Sequence, residues 1–437
     1  MTRELKRFIR VAFAAVLVAG MATTAPAQQT PTVPVGPSTD DLFNGDVLQR
    51  VDLKLNSRDW EALRLNYQDN TYYPADLAWN GITVRNVGIR SRGNGSRSGQ
   101  KPGLRVDMDR YTTQQRFLGL KSFILDNVWQ DPSFMKEKIT MELFRRMGQP
   151  APRESFAKLY VNNTFAGLYV LIESVDKDFL TRNFEQNEGY LYEYDYTYEW
   201  TFTWLGSDYE RYAEIFSPKT NESKSAEKLY GPIEQMVKDI NEARNDRFEE
   251  TFRRYMNPDD VLTHLALENA MAEEDGILGA WGMNNFYLYR FEDAGLWRLI
   301  VWDKDYTFWN HEFPLFNRVE RNTISKRLLD IRDYRNFYLT KLRETADAMA
   351  EPVADLPAGT TPPEGKESYS WLEWQIEKNF QLIDATVRLD PYKPTDWDAY
   401  NGQVEGLRIF AAGRPAFIRC EVAKELTPRD ADKICHP

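Results

Sequence analysis

An α+β fold is what the order of signals along this chain predicts. Strand and hairpin patterns occupy residues 80–172, helical periodicities dominate from 225 onward, and one further hairpin interrupts them at 286–302. At 437 residues the chain is long enough for one large domain or for two lobes with their own cores. Aromatic residues at 14% and charged residues at 28% fit a folded, soluble chain rather than a disordered one.

Taken in order, the first element is a targeting segment, residues 1–27. Lys6, Arg7 and Arg10 form a positive start, an apolar run follows from Val11 to about Met21, and Ala25-Pro26-Ala27 fits a signal-peptidase site. The apolar run is too short to span a bilayer, so no transmembrane segment is expected after cleavage. Residues 28–45, rich in Pro, Thr and Gln at their start, read as a flexible leader, with the fold beginning near Val47. Asn80-Gly81 opens a strand carrying Ile82, Val84, Val87 and Ile89, whose alternation slips at Asn86 and predicts a bulge there.

Asp131 and Pro132 provide a cap and first turn for a helix with an apolar stripe at Met135, Ile139, Leu143 and Met147, and Gly148 suits its C-terminal exit. A hairpin follows, turning at Asn162-Asn163. Helices are expected from Ser225 to Ala243 and from Asn257-Pro258 to about Asp275, then a Pro-rich loop over 351–364 and helices near Ser370–Val387 and the C-terminus.

The net charge of -11 and a pI near 5.1 argue against general nucleic-acid binding, because such a chain repels phosphates. Cys420 and Cys435 are the only cysteines; in an oxidising compartment a disulfide between them is favoured over two unpaired thiols. With two cysteines and three histidines there is little from which to build a zinc site or a His-based nucleophilic triad.

The chemistry-bearing stretch runs from Ala272 to Phe308. Glu273, Glu274 and Asp275 at an expected helix C-terminus oppose the helix dipole, which would raise the pKa of Asp275 and suit a general base. Asn285 and Asp303 bracket a hairpin that brings its own ends together, and an amide oxygen beside a carboxylate is a hard-oxygen pair of the kind Mg²⁺ prefers. The order acid, amide, hairpin, acid parallels the protein-kinase core, although neither H-R-D nor D-F-G is present. Arg90 to Gly103 forms a Gly-rich basic loop able to cradle phosphates, or simply a basic surface loop. Trp302 and Tyr287 read as core residues.

These residues resemble the CotH (spore coat protein H) kinase family. The likeness is carried by Gly88-Ile-Arg-Ser-Arg-Gly-Asn-Gly-Ser96, Gly119-Leu-Lys121, Asp131-Pro-Ser133, Glu142-Leu-Phe-Arg145, Gly148-Gln-Pro-Ala-Pro-Arg153, Leu159-Tyr-Val-Asn162, Asn284 to Tyr289 and Val301-Trp-Asp-Lys-Asp305. It extends from about Asp52 to Phe417, with Arg414 in the family's closing helix.

The resemblance implies a two-lobed atypical protein-kinase-like fold. Residues 46–175 would be the N-lobe, 176–350 the C-lobe, and 351–437 a C-terminal loop with helices. It implies ATP, Mg²⁺ or Mn²⁺, and phosphoryl transfer to a protein of the envelope or extracellular space. Asp275 takes the catalytic role, with Glu274 as its competitor; Asp303 and Asn285 take the metal. Arg92 and Gly93 belong to the phosphate loop, Lys101 or Arg105 contacts the phosphates, and Glu142 rather than Glu137 is their acidic partner. Leu171 to Ser174, including Glu173, would meet adenine. Two other readings stand beside this one: a noncatalytic binding or structural module on the same fold, and, more weakly, a carbohydrate-active protein using paired acids.

Overall fold

A computed structural model describes residues 36–362, 365–427 and 434–435. The expected signal peptide and residues 28–35 of the expected leader lie outside these. Ser38 caps a short helix, α1 (Thr39–Leu42), through its hydroxyl and a reciprocal contact from Asp41. Leu42 and Phe43 are buried, so the fold starts before Val47 and takes in the end of the expected leader.

The first half of the fold is strand-rich: β1 (Gln49–Leu55), α2 (Ser57–Leu65), β2 (Tyr73–Trp79), β3 (Ile82–Arg92), β4 (Gly103–Asp107), β5 (Ser122–Asp126), α3 (Lys136–Arg146), β6 (Glu154–Val161) and β7 (Thr164–Glu173). The strands close into a barrel in the order β1-β2-β3-β4-β5-β7-β6, sealed by parallel pairing of β1 with β6. The hairpin turn expected at Asn162-Asn163 is present, and Asn80-Gly81, expected only to open a strand, also turns a hairpin. Asn80 (φ 46°) and Gly81 (φ 79°) join β2 to β3, and Asn162 (φ 51°) and Asn163 (φ 65°) join β6 to β7, all in the left-handed conformation that matches strand twist. The bulge at Asn86 is also present: its amide donates to Asp76 Oδ1, and the β2–β3 register shifts between Ala75 and Leu77.

The helix after Asp131 begins later than expected, at Lys136. Asp131 turns the chain first, accepting from the Ser133 amide and, through its other oxygen, from the Lys136 amide at 2.9 Å. Gly148 (φ 72°) ends α3 as its sequence position suggested.

The second half contains α4 (Lys177–Phe184), β8 (Tyr190–Tyr194), β9 (Phe216–Pro218), α5 (Ala226–Glu242), α6 (Phe248–Arg253), α7 (Pro258–Ala270), β10 (Phe286–Arg290), β11 (Trp297–Val301), α8 (Thr323–Leu329), α9 (Arg332–Ala350), α10 (Trp371–Leu389) and α11 (Trp397–Leu426). A four-stranded sheet runs β11-β10-β8-β9. Alternation along β5 and β7 divides their side chains between two cores. Phe123, Leu125, Tyr169 and Leu171 fill the barrel, whereas Ile124, Val170 and Ile172 face outward and join α3 and the helices in the larger core. Each fully buried leucine among them contributes roughly 1.5–3 kcal/mol by leaving water. From Ser38 onward the described residues cluster as one compact unit.

The C-terminal helices are stitched to the barrel half. Lys101 and Asp390 form an ion pair of 2.8 Å with no exposed side-chain surface, and Lys378 of α10 pairs with Asp46. Cys420 and Cys435 are disulfide-bonded, as favoured from sequence. No helix among the described residues is long and apolar enough to cross a membrane.

Candidate active site

The site is built where the open end of the β10–β11 hairpin meets the segment after α7. The register pairs Phe286 with Val301, which puts Asn285 and Asp303 just beyond the same end of the hairpin. Both adopt left-handed backbone, at φ 56° and 47°, a conformation tolerated by Asn and Asp and concentrated at functional positions. The helix expected to reach Asp275 stops at Ala270, and Ala272 (φ 53°) turns the chain out of it. The three acids therefore lie beyond the helix end.

Asp275 is held by two amides. Asn284 Nδ2 donates to both its carboxylate oxygens at 3.1 Å, and Asn285 Nδ2 donates to Oδ2 at 2.9 Å and to the Asp275 carbonyl at 3.0 Å. Burial pushes the Asp275 carboxyl above its usual value, against the pull of these amides and of Lys304. The direction is the one the sequence suggested, but desolvation rather than a helix dipole is the main cause. Glu274 is instead paired with Arg318 at 2.7 Å.

A buried network that the sequence reading missed supports this arrangement. Lys304 Nζ lies 2.9 Å from Glu268 Oε1 and donates to the Asn285 carbonyl at 3.2 Å. Glu268 Oε2 accepts from the Ile277 amide at 2.9 Å, and His264 approaches Oε1 at 3.2 Å. Burial opposes ionisation of Glu268, yet Lys304 and His264 hold it down to about 2. Gly276 is needed here because a Cβ would lie 2.4 Å from Glu268 Oε1. The one local signal for Lys304 was its place between Asp303 and Asp305.

On the barrel side, Arg92 at the end of β3 pairs with Asp126 at the end of β5 (3.1 Å) and lies over the Trp302 ring. Burial beside Asp126 raises the Asp303 carboxyl to about 6, with Arg92 and Lys304 opposing. No protein donor reaches the Asp303 carboxylate among the described residues. Tyr287 and Trp302 are buried in edge-to-face contact at 5.3 Å, as core residues.

Other expected site residues are engaged elsewhere. Lys101 is committed to Asp390 and lies between the Phe134 and Tyr169 rings, with no exposed surface. Arg105 of β4 donates to Ser122 Oγ at 3.0 Å. Gly93 (φ 110°) makes the turn after β3, where a Cβ would meet Ser96 Oγ at 2.5 Å. Glu142 faces Lys138 and Lys378, away from the acidic cluster, whereas Glu137 is buried and feels Glu154, Asp303 and Asp126. Neither glutamate meets Lys101 or Arg105, the cations for which Glu142 was the expected partner; five residues on a helix turn a side chain by about 140°, so α3 presents Glu137, not Glu142, toward the acidic cluster. Glu173 is clamped by Arg153 at 2.7 Å and Arg182 at 2.5 Å, and the backbone from Leu171 to Glu173 pairs with β5. It is not an open edge for a base.

Among the described residues no group of three His, Cys, Asp or Glu side chains converges to hold an ion. Asn285 spends its Nδ2 on Asp275, which leaves Oδ1 as an acceptor at the same hairpin end as Asp303. Two hard oxygens fit a Mg²⁺-type ion that takes its remaining ligands from phosphate and water.

A family model described as "CotH kinase protein" matches residues 89–418. Inner spore coat protein H of Bacillus subtilis (strain 168) is 23% identical over 391 residues, covering 86% of this chain and 98% of that protein. Among solved structures, the Helicobacter pylori proinflammatory kinase CtkA covers 79% of this chain and 95% of its own at 8% identity and a TM-score of 0.28, a likeness on which nothing further rests.

Proposed function

The chain belongs to the CotH kinase family, and from that premise we propose that it transfers the γ-phosphoryl group of ATP, with a divalent metal, to a protein of the envelope or extracellular space. The observation that carries this reading is the hydrogen-bonded pair Asp275–Asn285 standing at the hairpin end with Asp303.

In this reading Asn285 Oδ1 and Asp303 would hold Mg²⁺ or Mn²⁺, and Arg92, paired with Asp126, would face the phosphates. A bound ion of this type neutralises charge on the phosphate oxygens. Asp275 orients the acceptor hydroxyl and takes its proton; its raised pKa, caused mainly by burial, makes it a better base than an exposed aspartate. Glu268 and Lys304 keep Asn285 and the Ile277 amide in register without touching substrate. The barrel with α3 would serve as one lobe, and the hairpin with α7 to α9 as the other. Arg105 of β4, which donates to Ser122 Oγ, would be the barrel-strand cation that meets nucleotide.

Export is part of the proposal. Residues 1–27 read as a signal peptide, the Cys420–Cys435 disulfide suits an oxidising compartment, and the Bacillus relative is by name a spore coat protein.

The test is transfer of labelled γ-phosphate to a generic acidic or basic protein with Mg²⁺ or Mn²⁺, comparing the mature chain with Asp303→Ala. Transfer, and a thermal shift by Mg²⁺·ATP, are expected for the first and lost in the second. Neither transfer nor shift in the wild-type chain would leave a noncatalytic module on this fold.

A further inference from the structure

Arg414 of α11 is fully buried, yet no carboxylate pairs with it among the described residues. Its guanidinium instead collects four backbone carbonyls: Asn269 (2.6 Å) and Ala270 (2.9 Å) at the end of α7, and His311 (2.9 Å) and Phe313 (2.7 Å) in the loop beyond Asp305. Carbonyls at a helix C-terminus lack intrahelical partners, so a guanidinium is a suitable cap for α7. This cap comes from 144 residues away and grips a second segment at the same time.

Those two segments carry the site. The first continues through Ala272 to Asp275, and the second descends from Asp303. Between them runs a short backbone ladder, from the Phe308 amide to the Met271 carbonyl (2.8 Å) and from the Glu274 amide to the Tyr306 carbonyl (3.3 Å). Arg414 closes the ladder at the end away from the carboxylates. Gly413 lets α11 come this close, since a Cβ there would lie 2.7 Å from the His311 ring.

We propose that Arg414 is a positioning residue, which sets the distance between Asp275 and Asp303 by fastening their two segments together from behind. The inference rests on the reading of Asp275 and Asp303 as the base and metal groups. A guanidinium has five donors in a planar fork, whereas a lysine ammonium has three at a point and cannot span both segments.

The experiment compares the mature chain with Arg414→Lys, Gly413→Ala and Arg327→Met. Arg327 is the control, a half-buried guanidinium from α8 on the carbonyls of Ile240, Asn241 and Ala243 at the end of α5, bonded to neither segment. Steady-state transfer with Mg²⁺·ATP is measured well below each melting temperature, and amide exchange is followed across 272–276 and 304–313. Expected are a fall of roughly 100-fold in kcat for Arg414→Lys, with the ATP KM within about threefold, and faster exchange in both stretches together. Gly413→Ala should move the same way to a lesser degree, and Arg327→Met should melt earlier with kcat unchanged. Wild-type kcat in Arg414→Lys, or faster exchange in only one stretch, overturns the proposal. If the wild-type chain transfers no phosphate, the kinase reading fails while exchange still decides whether Arg414 couples the segments.

Discussion

Glu154, the first residue of β6, shows how burial governs single groups here. It is almost fully buried, and neither carboxylate oxygen has a hydrogen-bond partner among the described residues. Burial raises it from 4.5 to about 8, with Arg145 and Lys138 opposing and Asp126 and Asp303 adding to the rise. A carboxyl raised in this way binds more protons folded than unfolded. Its contribution to stability is complete below pH 4.5 and is lost as pH climbs through about 8. Glu154→Gln should therefore melt higher than wild type at pH 8 to 9, with the two converging near pH 4.5. Parallel melting curves across that range would refute the assignment. Glu273, raised by burial to about 8, adds to the same wild-type decline and remains in the variant.

The β10–β11 hairpin is the element that makes the site, and its backbone and side chains can be separated experimentally. Asn285 has a left-handed backbone and also supplies the amide that holds Asp275. Asn285→Ala loses the amide and takes on about 1–2 kcal/mol of left-handed strain, whereas Asn285→Gly loses the amide alone. Urea denaturation should find the Gly variant the more stable of the two, and neither should show the Mg²⁺·ATP thermal shift. Much of this element was legible: Asp293-Ala294-Gly295 marks the turn, and a hairpin joins its own ends by local geometry. The end of α7 was less so. The acids after Ala270 follow the helical pattern closely enough to look like its continuation, and the exit at Ala272 depends on backbone bonds to residues 306–309. That partner is not visible in a local window.

Across the whole molecule, the buried pair Lys101–Asp390 joins the loop before β4 to the end of α10, and Asp390 also accepts from the Leu168 amide at 2.8 Å. Removing one partner strands a buried charge. Lys101→Met should cost about 3–5 kcal/mol in chemical denaturation, and adding Asp390→Asn should recover part of that loss. Costs that simply add in the double variant would mean the two groups do not stabilise one another. The same pair explains why Lys101 is unavailable to phosphate, despite lying in a basic Gly-rich loop. Its partner is 289 residues away.

The sequence alone determined what depends on a few neighbouring residues. That includes the start of β3 after Asn80-Gly81, the turn at Asn162-Asn163, the bulge at Asn86, the exit of α3 at Gly148, the Asn257 cap of α7, and the placing of Asn285 and Asp303 at one end of a hairpin. Its motifs also pointed to the family. Only the tertiary structure decided which charges meet: Arg92 with Asp126, Lys304 with Glu268, Lys101 with Asp390, Glu173 with two arginines, and Glu137 rather than Glu142 toward the acidic cluster. It also decided the parallel closure of β1 on β6. The physical reason is that local conformation is set by sterics and hydrogen bonds within a turn or two. The partner and protonation of a buried charge are instead set by desolvation and by groups brought together from distant parts of the chain.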